Sequence, residues 1–253
     1  MTRLDLSDRN LDQLPALPET LEYLHCSNNN LTSLPELPIN LIELHCDNNH
    51  LTSLPKLPKS LIKLNCEHNE LVKLPKIPEK MVDLNCAYNM LKTLPKLPKN
   101  ISKLDCNYNT LTTLPKLPVD MVGLRCSNNM ITTLPNLPMY MDYLFCENNA
   151  LSVLPPLPAP LLRLECSDNP WNPQFEVFMK EQNTNLMNSV KRYYAYLWKK
   201  RYTIKNIIGL KYTLGSPNSV LPEDIVQLVS SFLSGCDGRI RNQIQTLKSQ
   251  LEM

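Results

Sequence analysis

Hydrophobic positions in this chain recur every 20 residues, without insertion or deletion, through most of the sequence. The clearest marker is cysteine, which occurs at positions 26, 46, 66, 86, 106, 126, 146 and 166. One unit, beginning at Leu21, reads L-x-x-L-x-C-x-x-N-x-L-x-x-L-P-x-L-P-x-x. A single unit of this size cannot bury its apolar face, whereas stacked units form a continuous core. The pattern therefore predicts a solenoid of about eight turns.

The alternation of residues in the first part of each unit predicts one short strand. In an extended segment, Leu24 and Cys26 lie on one face, while Tyr23 and His25 lie on the other. The first pair is expected in the core and the second on an exposed sheet face. Asn29 follows where the chain turns inward, and its side-chain amide can satisfy backbone groups that a sheet leaves unpaired. With one such asparagine per unit, we expect a ladder of eight.

The second half of each unit excludes an α-helix. Prolines three residues apart in L-P-x-L-P each remove a donor and force the preceding residue to be extended. A polyproline-like return segment is therefore expected, and 20 residues leave no room for a helix on that side. Before Leu21, the chain contains a degenerate unit with Leu6 at the cysteine position and Arg9 at the asparagine position.

Over residues 11–170 the units resemble the LPX subclass of leucine-rich repeats, which is known from bacterial type-III effectors. In those proteins the repeats bind host proteins, and a separate C-terminal domain can be a ubiquitin ligase. The 83 residues that follow the repeats here are too few for that domain. The expected fold is an α/β repeat: a solenoid over residues 1–170 with a parallel β-sheet on its concave face and a polyproline-like convex side. A small all-α module is expected over residues 171–253.

Nine cysteines raise a choice between disulfides, a metal site and plain core packing. We favour reduced core side chains, because each repeat cysteine takes a core leucine position and a buried thiol behaves as a small hydrophobe. No C-x-x-C spacing is present. His25 and His45 are in register on the predicted sheet face, but two ligands do not complete a metal site. We therefore expect neither a metal nor a cofactor.

At residue 170 the repeat stops and the composition changes. Residues 171–253 contain 11 Lys and Arg against 6 Asp and Glu, a net charge of +5, whereas residues 1–170 carry 15 against 18, or −3. Gln174 to Gln182 is predicted to cap the solenoid core. The basic excess can indicate binding to nucleic acid or to an anionic membrane surface. It is modest here, and we favour a solvated helix face. No apolar run follows Met1, so we expect no signal peptide, no membrane span and an intracellular, cytoplasmic location.

A further helix is predicted after Leu221. Pro222 stands at its first position, two acids follow, and the apolar residues from Ile225 fall on one stripe. Two amphipathic helices packing in a small bundle would give the same pattern. The segment also resembles the first helix of an F-box, which docks on the linker subunit of a cullin-type ubiquitin ligase. Its F-box-like residues are Leu221, Pro222, Ile225, Leu228 and Phe232. A C-terminal F-box after a repeat array resembles poxviral ankyrin-repeat proteins, which implies a large DNA virus as source and an infected host cell as location.

The sequence predicts a non-enzymatic recognition protein. It offers no nucleophile, base and orienting group at workable spacing, and its five glycines form no phosphate-binding loop. Three functions stay open: an adaptor that links a captured protein to a ubiquitin ligase, a plain binding scaffold or inhibitor, and a basic-tail binder of nucleic acid or membrane. Aromatic and arginine side chains carry most interface energy. The predicted partner-binding residues are Tyr88, Lys103, Asp105, Tyr108, Arg125, Tyr143, Phe145 and Arg163.

Overall fold

The computed structural model describes residues 2–158 and 160–180, and this part of the chain contains nine strands and one helix. The strands β1 to β9 are Arg3–Asp5, Tyr23–His25, Glu43–His45, Lys63–Asn65, Asp83–Asn85, Lys103–Asp105, Gly123–Arg125, Tyr143–Phe145 and Arg163–Glu165. The helix α1 is Pro173–Lys180. Consecutive strands begin 20 residues apart, so every predicted unit, including the degenerate first one, contributes one strand.

The strands form one parallel sheet in sequence order, β1 to β9. Leu4 pairs with Leu24, and Leu24 pairs with Leu44, so the sheet register equals the sequence period. Hydrogen bonds continue past the strand ends, as from the Cys26 N–H to the His45 carbonyl at 2.8 Å. The predicted parallel-sheet solenoid is confirmed. No helix interrupts the described repeats, and the polyproline conformation of the return segments stays a prediction.

The core is built from the repeated leucines and cysteines. Leu24 and Cys26 are fully buried, and their equivalents in β3 to β8 and the turns that follow are fully or nearly buried. The return segment ends in a tight turn, in which the Leu21 N–H donates to the Pro18 carbonyl at 3.0 Å. Proline suits this position because the turn uses its carbonyl and not the N–H that it lacks. The two faces of each strand therefore separate as the alternation predicts.

All eight repeat cysteines are free, buried thiols, as the core interpretation requires. The Cys26 thiol donates to the His45 carbonyl at 3.3 Å, and the thiols of Cys46, Cys66, Cys86 and Cys106 make the same contact with the next unit. Burial disfavours the thiolate. It raises the pKa of Cys26, Cys66 and Cys166 to about 12, so these thiols are protonated at neutral pH.

The predicted asparagine ladder is present in all eight units. Asn89 illustrates it: its amide nitrogen donates to the carbonyls of Cys66, Cys86 and Ala87 at 3.0 to 3.2 Å. Its Oδ1 accepts the Leu71 N–H at 3.0 Å. One buried side chain thus closes its own turn and holds the preceding unit. At the degenerate first unit, Arg9 instead donates from Nη2 to the Asp5 carbonyl at 2.9 Å.

The helix α1 begins at Pro173, one residue before the predicted capping segment. Asn172 caps it, since its Oδ1 accepts the Phe175 N–H at 2.8 Å, and the Asn172 N–H donates to the Ser152 carbonyl of the last return segment at 2.9 Å. Phe175 is fully buried and its ring lies 5.0 Å from that of Trp171. These contacts join α1 to the end of the solenoid, as a cap requires.

Residues 181–253 lie outside the described residues. They include the ninth cysteine, Cys236, the whole basic excess and the F-box-like segment. The domain boundary at residue 170 and the all-α module stay predictions. Within the described part, no helix is long and apolar enough to cross a membrane.

The ladder yields a stability prediction. Asn89→Ala should lower the free energy of unfolding by about 2–4 kcal/mol, because the Leu71 N–H and three carbonyls lose a buried partner. Urea unfolding followed by circular dichroism would measure this. The matched control is Asn30→Ala, which removes the same amide from an exposed side chain and should change the value by less than about 0.5 kcal/mol. Equal effects of both variants would contradict a structural role for the ladder.

Candidate functional site

The first and third residues of each strand face away from the core and form what we call the outer sheet face. The middle leucine is fully or nearly buried in β2 to β8, whereas most flanking residues are exposed or half-buried. This is the face predicted to be concave. Six predicted partner-binding residues lie on it: Lys103, Asp105, Arg125, Tyr143, Phe145 and Arg163.

Four of these residues meet in what we call the arginine cluster, which comprises Asp105, Arg125, Tyr143 and Phe145. The Arg125 Cζ lies 5.0 Å from the centre of the Phe145 ring and 5.7 Å from the centre of the Tyr143 ring. The two rings are 5.7 Å apart and tilted by 45°. The Arg125 Nε lies 3.9 Å from the Asp105 Oδ2. Three adjacent strands therefore hold one cation between two aromatic rings and a carboxylate.

Gly123 accounts for the position of the Tyr143 ring. The two residues pair in register on β7 and β8, and the Tyr143 ring occupies the space in which a side chain on Gly123 would lie. A Cβ at position 123 would overlap the ring atoms. The missing side chain thus lets the tyrosine lie across the neighbouring strand. Sequence reasoning missed Gly123, although the 20-residue alignment marks it as the only glycine at the first strand position of the nine strands in the described range.

Burial sets the electrostatics of the arginine cluster. It raises the pKa of Asp105, while the Asn107 N–H and Arg125 act in the opposite direction. Burial also raises the pKa of Tyr143, so its phenol stays neutral. The Arg125 side chain is 46% exposed, which leaves part of the guanidinium open to solvent. A partly exposed guanidinium with donors in a fixed fork suits recognition of carboxylates or aromatic rings.

A second group, the ring stack, consists of His68, Tyr88 and Tyr108. The His68 and Tyr88 rings lie 4.0 Å apart at 13°, and the Tyr88 and Tyr108 rings lie 4.2 Å apart at 12°. Both tyrosines are exposed, by 39% and 44%. They follow their strands by three residues, so the stack borders the outer sheet face. Tyr88 and Tyr108 were predicted as site residues; His68 was missed as their partner, although the same 20-residue spacing places it in line.

The backbone at the two tyrosines of the ring stack is strained. His68, Tyr88 and Tyr108 have φ angles of 50° to 51°, in the left-handed region, where histidine, like asparagine and aspartate, is more common than tyrosine. The equivalent residue is Asn28, Asn48, Asn128, Asn148 or Asp168 in the other full units, and asparagine and aspartate tolerate this region best. Bulky side chains there carry about 1–3 kcal/mol of strain, and such strain is concentrated at functional sites. An aromatic residue at this position in three consecutive units thus indicates a role beyond closing the turn.

A third group, the histidine cluster, consists of His25, Glu43 and His45. The His25 and His45 rings lie 4.4 Å apart, and the His45 Nε2 lies 2.7 Å from the Glu43 Oε1. Burial lowers the pKa of His25, and the neighbouring His45 adds to this effect. The hydrogen bond from His45 lowers the pKa of Glu43. The sequence indicated the histidine pair but not the glutamate beside it.

Two of the predicted partner-binding residues on the outer sheet face do not join the arginine cluster. Lys103 and Arg163 are exposed and lie outside the ring contacts and ion pairs of the described residues. The F-box-like residues lie outside the described residues and stay predictions: Leu221, Pro222, Ile225, Leu228 and Phe232.

Known structures share this architecture. YopM from Yersinia enterocolitica WA-314 is 31% identical, with a TM-score of 0.54, over 68% of this chain and 47% of that one. YopM from Yersinia pestis, a leucine-rich effector protein, is 29% identical, with a TM-score of 0.58, over 66% and 60%. A Shigella effector leucine-rich-repeat domain is 31% identical, with a TM-score of 0.55, over 72% and 75%. No protein-family model and no curated protein sequence matches the chain.

A parallel sheet of 20-residue units, each closed by a buried asparagine, defines a repeat solenoid of the leucine-rich type. The chain belongs to the leucine-rich-repeat proteins, as its match to the Shigella domain shows. It spans about half the length of the Yersinia enterocolitica chain and about three fifths of the Yersinia pestis chain. The F-box resemblance and the viral source are not shown by these neighbours and stay predictions.

The left-handed backbone of Tyr88 yields a second prediction. Tyr88→Asn and Tyr88→Ala both remove the stacked ring, but asparagine tolerates a positive φ better than alanine. The asparagine variant should therefore be the more stable of the two, by about 1 kcal/mol in its free energy of unfolding. The free energy of unfolding of Tyr88→Asn should differ from that of the parent protein by less than about 1 kcal/mol, because the loss of stacking and the relief of strain oppose each other. Urea unfolding would measure both differences, and equal stability of the two variants would argue against strain at this position.

Proposed function

We propose that this protein is a protein–protein recognition module that binds a protein partner on its outer sheet face, with the arginine cluster at the centre of the interface. The observation that carries the proposal is the placement of Arg125 against two aromatic rings, one of which lies over Gly123. Arginine and tyrosine are the side chains most enriched among those that dominate binding energy.

Rigidity of the arginine cluster supports this assignment. Its residues come from adjacent strands whose register is fixed by the sheet, so they lose little conformational freedom on binding. The ring stack adds exposed aromatic surface at the border of the same face. An acidic side chain of a partner could pair with Arg125, and an aromatic side chain could pack against the arginine cluster or the ring stack.

The proposed role is binding and not catalysis. The eight repeat thiols are buried and hydrogen-bonded to backbone carbonyls or held protonated by burial, so they are poor nucleophiles. The Yersinia pestis neighbour is a leucine-rich effector protein, and the Shigella neighbour is an effector domain. These neighbours are consistent with an interaction module.

A finer proposal is that the captured protein is delivered to a cullin-type ubiquitin ligase. It rests on the sequence Leu221, Pro222, Glu223, Asp224 and Ile225, which resembles the opening of an F-box. The alternatives are a scaffold or inhibitor without a ligase link and a basic-tail binder of nucleic acid or membrane. The adaptor proposal needs the Pro222 end of the helix to be available to the linker subunit.

The interface proposal predicts the effect of combined substitution. Alanine at Arg125, Tyr143 and Phe145 together should weaken binding of a captured protein partner at least about 100-fold. A single anchor of this kind contributes about 2 kcal/mol or more, and the effects of residues in contact are not additive. The partner would first be captured from host lysate with the full chain. Its affinity for both forms would then be measured by titration calorimetry with purified proteins.

A matched control tests the specificity of that loss. Lys116, Met139 and Tyr140 are also a cation and two large side chains, all exposed, but they lie in return segments away from the strands. Their triple alanine variant should bind as the parent does. Equal loss in both triple variants, or an unchanged affinity after substitution of the arginine cluster, would contradict the placement.

The adaptor proposal makes a separate prediction. The full chain should bind a purified cullin-ligase linker subunit, and Pro222→Ala with Ile225→Ala should abolish this binding with little change in melting temperature. The Arg125, Tyr143 and Phe145 variant should retain it, because the adaptor proposal assigns linker binding to the F-box-like residues and not to the arginine cluster. Binding that survives the Pro222 and Ile225 changes, or no binding by the parent chain, would leave the scaffold function.

A further inference from the structure

The histidine cluster arises from the register of β1 to β3. Asp5, His25 and His45 occupy the third position of successive strands and are paired in the parallel ladder. Adjacent strands lie about 4.8 Å apart, so equivalent side chains on one face are neighbours. Glu43 stands two residues before His45 on the same strand and therefore projects to the same face.

We propose that His25, Glu43 and His45 form a zinc-binding site on the outer sheet face, with a fourth coordination position open to solvent. One donor atom from each of the three side chains lies within 4.8 Å of the other two. Within the described part of the chain, no other three His, Cys, Asp or Glu side chains are gathered in this way. Two imidazoles and one carboxylate are a ligand set that zinc uses where it keeps an open position.

The distances are close to those of a bound ion. Zinc held at about 2.0–2.1 Å by each donor places tetrahedral donors roughly 3.4 Å apart. The His45 Nε2 and Glu43 Oε1 are already nearer than this, at 2.7 Å, and part slightly when an ion enters between them. His25 closes the remaining gap by a rotation of its side chain, which the half-buried surface permits.

The surroundings of the cluster also suit a cation. All three side chains are half-buried, so their rotamers are restricted but their donor atoms stay reachable. Asp5 lies next to His25 in the sheet register, and a carboxylate in that place can orient a metal-bound imidazole. Lys63 competes for the carboxylate of Glu43, since its Nζ lies 4.0 Å from Oε1, but its side chain is 55% exposed and free to turn to solvent.

Zinc at this position has a structural consequence and a recognition consequence. It links β2 to β3 near the N-terminal end of the sheet, where the first unit lacks the ladder asparagine. Its open position points to solvent on the outer sheet face, where water or a donor from a bound partner completes the coordination. The proposal does not depend on the partner-binding role, because zinc binding is measured on the chain alone.

Titration calorimetry with zinc chloride on the full, chelator-treated chain under a phosphine reductant tests the site. The parent protein should bind one zinc ion per chain at this site, and Glu43→Gln or His25→Asn should weaken binding by more than about 100-fold, since even outer-shell changes lower zinc affinity 10- to 100-fold. His50→Asn is the matched control and should bind as the parent does. Circular dichroism of each variant checks that it is folded.

Cobalt substitution separates this site from thiolate coordination. Cobalt bound by His25, Glu43 and His45 should give visible ligand-field bands without the near-ultraviolet charge-transfer band of a cobalt thiolate. The same bands should vanish in Glu43→Gln, which keeps the shape of the side chain. Zinc affinity unchanged in both Glu43→Gln and His25→Asn, no zinc binding by the parent protein, or a thiolate band from the bound cobalt would each overturn the proposal.

Discussion

The requirement to satisfy backbone polar groups where the chain turns into the core governs this structure. A three-residue strand pairs few of these groups. Backbone hydrogen bonds between units continue past its end, as from the Asn28 N–H to the Asp47 carbonyl, but they leave other groups at the turn without a backbone partner. The buried asparagine of each unit solves this problem by donating to three carbonyls and accepting one N–H, with partners in two successive units. Because the same side chain closes one unit and holds the preceding one, the asparagine keeps a fixed place relative to the strand in every full unit.

This constraint also determines where variation is tolerated. The core leucines, the cysteine and the ladder asparagine of a unit are fixed by packing and hydrogen bonding, whereas the first and third strand positions face outward. These outward positions carry the histidine cluster on β2 and β3 and the arginine cluster on β6 to β8. The ring stack follows β4 to β6 and borders the same face. Parallel pairing aligns chemically similar residues 20 apart, so rings stack on rings and a glycine accepts a tyrosine from the next strand.

The ring stack shows how the repeat architecture can hold local strain. The position before the ladder asparagine has a positive φ in every full unit, because the turn requires it. Most units meet this with asparagine or aspartate, but three consecutive units place an aromatic residue there. Contact between the stacked rings offsets part of this strain. The neighbouring units are therefore what allows aromatic side chains at this position.

The sequence by itself determined the solenoid, the parallel sheet, the inward leucines and cysteines and the asparagine ladder, because each follows from a periodic local pattern. It also located Arg125, Tyr143 and Phe145 on the outer face, since side chains alternate along a strand. Only the tertiary structure decided which of these residues meet. That Tyr143 lies over Gly123, that His68 joins the two tyrosines and that Glu43 stands beside two histidines depend on side-chain rotamers and on space left by neighbouring strands. A one-dimensional pattern fixes register and face, but not the direction that a side chain takes on that face.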